Sequence, residues 1–169
     1  MESRGWILLF LAVASCPLWA EGRPQGCQPA LKSWRTYIDR PHGFCFQHPA
    51  TYKRVHTEFD KKQVVTLQRE QPDGKIYVVF EDKPFDLQGF VAAAPTGYDS
   101  PPEPFQAGPN TFYYYGPGGG GVAYADQFFY ELKGKTLYIT FDGPYEGDNT
   151  PTPQTKQLER KILGSFHTF

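Results

Sequence analysis

Alternating apolar and polar positions predict two antiparallel hairpins in the middle of the chain. The first joins residues 64–70 to residues 75–81 through Pro72-Asp73-Gly74, where Pro presets φ and Gly accepts a positive φ. The pairs expected from this loop are Glu70 with Lys75, Leu67 with Val78 and Val65 with Phe80. The apolar members share one face of the sheet, and a slip of one residue would mix them with polar positions.

The second hairpin joins residues 122–132 to residues 136–141 near Gly134-Lys135, a Gly-X pair suited to a type II′ turn. The expected pairs are Leu132 with Leu137, Tyr130 with Ile139 and Phe128 with Phe141. Six large apolar side chains then lie on one face of the sheet, where cross-strand pairs stabilise the hairpin. This face requires a covering layer.

The end of the chain carries the signals of an amphipathic helix. Thr152 is an N-cap candidate, and Pro153 occupies the first helical position. The apolar stripe consists of Leu158, Ile162 and Phe166, and the positions expected on the solvent side are Lys156, Glu159, Arg160 and Lys161. A shorter helix is expected over residues 85–94, and residues 44–48 form a strand before Pro49. These elements predict an α+β fold, an antiparallel sheet with covering helices.

The first twenty residues have the features of a secretory signal peptide. The apolar run over residues 6–15 follows Arg4 and is too short to cross a bilayer of about 30 Å. Two cleavage sites compete. Residues 13–16 resemble a bacterial lipobox that would lipidate Cys16, whereas cleavage after Ala20 would release a soluble protein. Both predict an extracytoplasmic protein, which is secreted, periplasmic or lipid-anchored.

Composition is typical of a strand-rich domain. The 17 Lys and Arg nearly balance the 18 Asp and Glu, for a formal net charge of −1, which argues against a nucleic-acid partner. Aromatic residues make up 17% of the chain, and they are enriched in strands. After the signal peptide and an N-terminal extension over 21–33, residues 34–169 suit one domain with a single core.

Two cysteines remain once Cys16 is removed or lipidated. In an exported chain, Cys27 and Cys45 are expected to form a disulfide that contributes about 3 kcal/mol and ties the extension to the first strand. The alternatives are a thiol pair for metal or redox chemistry and two free thiols. No Cys-x-x-Cys spacing favours metal or redox chemistry, so the disulfide is the preferred interpretation.

No catalytic, cofactor or metal site stands out in the sequence. The glycine-rich run over 116–121 lacks the Lys-Ser/Thr and the following helix of a phosphate-binding loop. The carboxylates that could hold calcium are Asp142, Glu146 and Asp148, although they lack the ligand spacing of an EF-hand. The histidines fit no common zinc pattern, but His48 and His56 could approach each other across neighbouring strands. We expect no cofactor.

A tyrosine cluster is the best candidate for a contact surface. Tyr113, Tyr114 and Tyr115 lie beside the glycine-rich run, which includes Gly118 and Gly119. Because side chains alternate along a strand, at least one of the three tyrosines points away from the core. Tyrosine combines apolar area with a polar tip, which suits contacts with proteins or carbohydrates. Packing beneath a second covering layer is the alternative role for these rings.

Two segments resemble the PsbP-like family of extracytoplasmic domains. The family's opening strand matches Gly-Phe-Cys-Phe-Gln-His-Pro over residues 43–49, and its closing helix matches Ile-Leu-Gly-Ser-Phe over residues 162–166. The resemblance spans residues 34–166 and implies an α-β-α sandwich. It also implies a non-catalytic accessory or binding module, whose partner would be another extracytoplasmic protein or complex and whose membrane contact would be limited to a lipid anchor.

A small exported hydrolase or metal-dependent enzyme is the alternative function. It would use His48 or His56 as a general base together with carboxylates from the loop over residues 142–148. The sequence has no Gly-x-Ser-x-Gly motif, which marks the nucleophile of many hydrolases. Binding without catalysis is the preferred interpretation, as the PsbP-like resemblance implies.

Overall fold

The computed structural model describes residues 22–56, 63–70, 73–93, 101–116, 125–143, 145–146 and 150–169. The first strands are β1 (Trp34–Asp39), β2 (Phe44–Pro49), β3 (Lys53–Val55), β4 (Gln63–Arg69) and β5 (Gly74–Glu81). They are followed by α1 (Leu87–Ala93), β6 (Glu103–Ala107), β7 (Asn110–Tyr115), β8 (Ala125–Leu132) and β9 (Lys135–Asp142). The last elements are β10 (Tyr145–Glu146), β11 (Thr150–Pro151), α2 (Pro153–Gly164) and β12 (His167–Thr168). The predicted signal peptide, with Cys16, lies outside the described residues.

Antiparallel pairing organises the described strands into two sheets and a short ladder. Seven strands form the main sheet in the order β3-β4-β5-β9-β8-β7-β6. Three strands form a second sheet in the order β1-β2-β12, and β10 pairs with β11 in the ladder. Together with the two helices, this arrangement confirms the predicted α+β class.

The apolar core lies between the two sheets and beneath α2. Phe128 of β8 is buried on the inner face of the main sheet, in one cluster with Phe44 of β2 and Ile162 of α2. The outer face of the main sheet is covered by α1, where the Phe90 ring centroid lies 5.1 Å from that of Phe129. This α1 helix confirms the predicted short helix over residues 85–94. The main sheet is therefore the middle of three layers.

Both central hairpins have the predicted faces, but their registers differ from the predicted ones by two residues. The observed pairs are Leu67 with Ile76 and Val65 with Val78 in the first hairpin, and Tyr130 with Leu137 and Phe128 with Ile139 in the second. Because side chains alternate with a period of two, a shift of two residues keeps each side chain on its predicted face. The predicted pairs are wrong, whereas the predicted apolar sets are right.

The turn between β8 and β9 explains the shift in the second hairpin. It contains only Lys133 and Gly134, with φ angles of 53° and 74°. Two positive φ angles are typical of a type I′ turn, whose twist matches that of the flanking strands. The type II′ turn predicted at Gly134-Lys135 is wrong because pairing continues up to Leu132 and Lys135.

Helix α2 begins as predicted and ends before Phe166. The Thr155 amide donates to the Thr152 hydroxyl over 3.1 Å, which confirms the N-cap. The helix ends at Gly164, and Phe166 is buried in the core beyond it. Glu159, expected on the solvent side, is only 1% exposed because its position lies on the buried stripe. Neither this helix nor α1, the two within the described ranges, is long and apolar enough to cross a membrane.

The N-terminal extension is held against the second sheet. The predicted disulfide between Cys27 and Cys45 is present, with the two Cα atoms 6.0 Å apart. Gln47 of β2 donates through Nε2 to the Pro29 carbonyl over 3.0 Å. The Thr36 hydroxyl donates to the Gln28 carbonyl over 3.1 Å. The described part of the extension therefore packs on the domain.

Candidate functional site

The tyrosine cluster of β7 divides between the two faces of the main sheet. Tyr113 pairs with Phe129 of β8 on the outer face, whereas Tyr114 pairs with Phe128 on the inner face. Tyr115 returns to the outer face, where the Phe90 ring meets it edge-on at 5.0 Å between centroids. Alternation therefore gives these tyrosines two environments, an aromatic surface and a polar cluster at the border of the core.

Six rings form the aromatic outer face, namely Phe85, Phe90, Tyr113, Tyr115, Phe129 and Tyr138. Phe129 is fully buried at its centre, with ring centroids 4.7 Å from Phe85 and 5.1 Å from Phe90. The Tyr113 ring lies 5.4 Å from Phe85, and the Tyr138 ring lies 5.1 Å from Phe129. Aromatic pairs at these distances attract each other beyond the area that they bury. The rings therefore form one closely packed platform.

Hydrogen bonds fix the segment that covers this face. The Thr136 hydroxyl of β9 donates to the Lys83 carbonyl over 2.8 Å. The Tyr138 hydroxyl donates to Glu81 over 3.0 Å. Burial and this hydrogen bond raise the pKa of Tyr138 to about 12, so its phenol remains a neutral donor at physiological pH. Hydrogen bonds near the end of β5 and the start of β9 thus hold the platform together with the ring contacts.

Two exposed apolar side chains belong to the elements that form or cover this face, Tyr113 to β7 and Val91 to α1. Tyr113 is 37% exposed, and Val91, which follows Phe90 in α1, is 45% exposed. Within the described part of the chain, Leu31 of the extension is the only other large apolar side chain that is exposed to at least this extent. A tyrosine already held by neighbouring rings has little rotamer freedom to lose on binding. This surface can pack against an apolar patch of a partner while the phenol forms a hydrogen bond.

Tyr114 belongs to a second group on the inner face, the carboxyl cluster of Tyr114, Asp126, Lys156 and Glu159. The Tyr114 hydroxyl donates to Asp126 Oδ1 over 2.6 Å, and Lys156 Nζ donates to the same oxygen over 2.8 Å. Lys156 Nζ also lies 3.9 Å from Glu159 Oε2. Both carboxyl groups are buried. One partly exposed ammonium therefore faces two buried carboxyl groups, which is unfavourable if both are ionised.

Protonation of Glu159 resolves this conflict. Burial and the neighbouring Asp126 raise the pKa of Glu159 to about 9, although Lys156 opposes the shift. Glu159 is therefore neutral at pH 7, and Lys156 pairs with Asp126. Burial and the bond to Asp126 raise the pKa of Tyr114 far above its usual value, so its phenol stays a donor. The cluster joins α2 to β7 and β8.

The sequence contains signals for the carboxyl cluster. Asp126 shares the alternation of Phe128, which places a carboxylate on the buried face of β8. Glu159 follows Thr155 by four positions and precedes Ile162 by three, which is the spacing of the buried helical stripe. The spacing therefore places Glu159 on the buried stripe, although glutamate as a residue type is seldom buried.

The remaining predicted site residues occupy different parts of the chain. Gly118, Gly119 and Asp148 lie outside the described residues. Of the two other calcium candidates, Asp142 ends β9 in the main sheet, and Glu146 belongs to β10 in the separate ladder. The calcium hypothesis therefore stays a prediction for a loop that the structure describes only in part.

His48 and His56 do not lie on neighbouring strands. His48 belongs to β2 of the second sheet, whereas His56 follows β3 of the main sheet. The neighbouring-strand arrangement suggested for them is therefore wrong, because the two strands belong to different sheets. His48 Nδ1 lies 3.0 Å from the Pro49 carbonyl oxygen, and burial lowers the pKa of His48. In the described ranges, no group of three His, Cys, Asp or Glu is placed to hold a metal ion.

Comparison with known proteins identifies the fold. No protein-family model and no curated protein matches the sequence. The solution structure of cyanobacterial PsbP (CyanoP) from Synechocystis sp. PCC 6803 has a TM-score of 0.56 and 16% identity, over 88% of this chain and 99% of that one. A crystal structure from Bacteroides thetaiotaomicron VPI-5482 has a TM-score of 0.55 and 7% identity, over 81% of this chain and 49% of that one. The chain therefore has a PsbP-like fold.

Proposed function

We propose that this chain is a non-catalytic extracytoplasmic accessory module that binds another protein through the exposed part of the aromatic outer face. The observation that carries the proposal is Tyr113, which is 37% exposed while its ring packs on Phe85. The PsbP-like fold supports an accessory role, since the family resemblance implies binding modules. The contact centres on Tyr113 and Val91.

The chemistry of this surface suits a protein partner. Tyrosine is enriched among the residues that dominate interface energies, and such residues are surrounded by contacts that contribute little energy but exclude water. Val91 adds an exposed aliphatic side chain on α1, one residue after Phe90. Tyr114 lies outside this contact because Asp126 and Lys156 hold its hydroxyl on the inner face. Gly118 and Gly119 stay predicted members of the surface.

An extracytoplasmic location belongs to the same proposal. Disulfides persist in oxidising compartments and are rare in the cytosol, which fits the bond between Cys27 and Cys45. The predicted signal peptide supplies a route of export. A lipid anchor at Cys16 would hold the module at a membrane surface and limit its partners to proteins of that surface.

Affinity capture from the extracytoplasmic fraction of the host tests the proposed surface. The test variant carries Val91→Ala and Tyr113→Ala, and the matched control carries Leu31→Ala, which removes the other exposed apolar side chain. We expect the wild type and the control to capture the same partner and the double variant to lose it by at least about tenfold, because truncation of a tyrosine at an interface centre costs about 2 kcal/mol or more. Equal capture by the double variant would contradict the proposed surface.

An activity screen separates this function from the exported hydrolase. The purified protein is assayed against ester, phosphate, glycoside and peptide substrates, together with His48→Ala and His56→Ala variants. The second variant changes an exposed ring and leaves the core intact. Hydrolysis that either substitution abolishes would overturn the non-catalytic proposal. We expect no substrate to be turned over above the uncatalysed rate.

A further inference from the structure

We propose that a cavity between the β1–β2 turn and the β8–β9 turn binds a small organic anion, a carboxylate or phosphate carried on an apolar group. The cavity has a volume of about 250 Å³. Its walls come from both sheets, since His42 precedes β2 and Phe80 belongs to β5. We call this cavity the cationic pocket, and it lies apart from the aromatic outer face.

The floor of the cationic pocket is apolar. The Phe80 ring and the Leu132 side chain line it, and the His42 ring lies 4.2 Å from the Phe80 ring between centroids. His42 is fixed through its Nδ1, which lies 2.8 Å from Asp39 Oδ1. Binding sites for small molecules combine such apolar walls with a few polar groups that fix orientation. This floor can receive the hydrocarbon part of a ligand.

The rim of the pocket is cationic. Arg40, Lys133 and Lys135 all line the cavity, and Arg40 also donates through Nη2 to the Gly22 carbonyl over 3.1 Å. Lys135 Nζ lies 5.5 Å above the Phe80 ring and pairs with Asp82, which is 79% exposed, so water screens that ion pair. Lys133 Nζ donates to the backbone oxygen of Phe169 over 3.1 Å. Side-chain cations around an apolar floor favour an anion, since charge-assisted hydrogen bonds to carboxylate and phosphate are strong.

The backbone of Lys133 gives a second argument. Its φ of 53° is unusual for a residue with a long side chain, and type I′ turns prefer Asn or Gly at this position. Strained conformations of this kind cluster at functional sites. Lys133 occupies a costly conformation and holds its ammonium at the rim of the cavity. Binding of a ligand anion would explain why a lysine occupies this position of the turn.

Calorimetric titration of the oxidised protein with phenyl phosphate and benzoate tests the pocket. Benzylamine, a cation of similar size, is the negative probe. The test variant is Lys133→Asn, because Asn accepts a positive φ and preserves the turn. The control is Lys53→Asn, an equal charge change at an exposed position of β3. Thermal melting checks that both variants fold.

We expect at least one of the two anions to bind in a saturable manner. In NMR spectra of the same titration, the amide resonances of residues 40–43 and 132–135 should shift. Lys133→Asn should weaken that binding by about tenfold or more through the loss of a charged hydrogen bond, whereas Lys53→Asn should not change it. Dissociation constants above about 10 mM for both anions would overturn the proposal. Equal weakening by the control, or equal binding of benzylamine, would overturn it too.

Discussion

Glu159 shows how a single buried side chain makes the stability of this protein depend on pH. The usual carboxyl pKa of 4.5 applies to the unfolded chain, whereas the folded pKa is about 9. Between these values the folded state binds one proton more than the unfolded state. Stability therefore falls as pH rises through this range, and the contribution of Glu159 is fully present only below the unfolded pKa.

Replacing Glu159 by Gln should remove this dependence. Gln keeps the shape and hydrogen-bonding capacity of the protonated acid but does not ionise. Urea unfolding between pH 6 and pH 8.5 should show a free energy of unfolding that falls with pH more steeply in the wild type than in Glu159→Gln. The control is Glu131→Gln, an exposed position of β8, which should keep the wild-type slope. Identical slopes for the wild type and Glu159→Gln would show that Glu159 is ionised in the folded protein.

The two central hairpins and α2 are the elements that carry the core. Phe128 lies in the middle of the inner face, in ring contact with Phe112, Phe141 and Phe105. Ile162 reaches the same core from α2. Large-to-small changes at such positions remove buried area and leave a cavity that the surroundings fill only in part.

Phe128→Ala should therefore destabilise the domain by about 3–5 kcal/mol. Val91→Ala, at an exposed position of α1, should change stability by no more than about 0.5 kcal/mol. Urea unfolding followed by circular dichroism measures both variants. A small effect of Phe128→Ala would mean that this face of β8 is not the core.

The strands, their faces and the main helix could be predicted because they depend on local periodicity. Phe128 and Leu137 lie on the predicted face even though their predicted partners are wrong. The registers could not be predicted because a shift of two residues preserves each face, so only the turn conformation decides between them. At Lys133 the turn uses a residue that seldom adopts a positive φ. The burial of Asp126 and Glu159 could be predicted from spacing, but their meeting with Tyr114 could not, because the three residues come from separate segments of the chain.

At the scale of the whole molecule, the disulfide joins the extension to the domain. Replacing Cys27 and Cys45 by Ala should lower stability by about 3 kcal/mol, since the bond restricts the unfolded chain. Guanidinium unfolding of the oxidised wild type and the double variant measures the difference. Two alkylatable thiols in the exported wild type would contradict the account, because the bond would then be absent from the native protein.

The predicted processing of the chain has a direct readout in the intact mass of the protein isolated from its host. Cleavage at the lipobox should give a mass that begins at Cys16 and includes a diacylglyceryl group. Cleavage after Ala20 should give a mass that begins at Glu21 without lipid. Either mass supports export, and the first also places the module on a membrane surface. A mass that retains Met1 would contradict the signal peptide.

Site-specific photocross-linking in the host tests the central claim most directly. A photoreactive aromatic amino acid is placed in turn at Tyr113, Val91 and Leu31, the exposed large apolar positions of the described chain. We expect Tyr113 and Val91 to yield an adduct with the same protein and Leu31 to yield none. Absence of an adduct at Tyr113, or an equal adduct at Leu31, would contradict binding through the aromatic outer face.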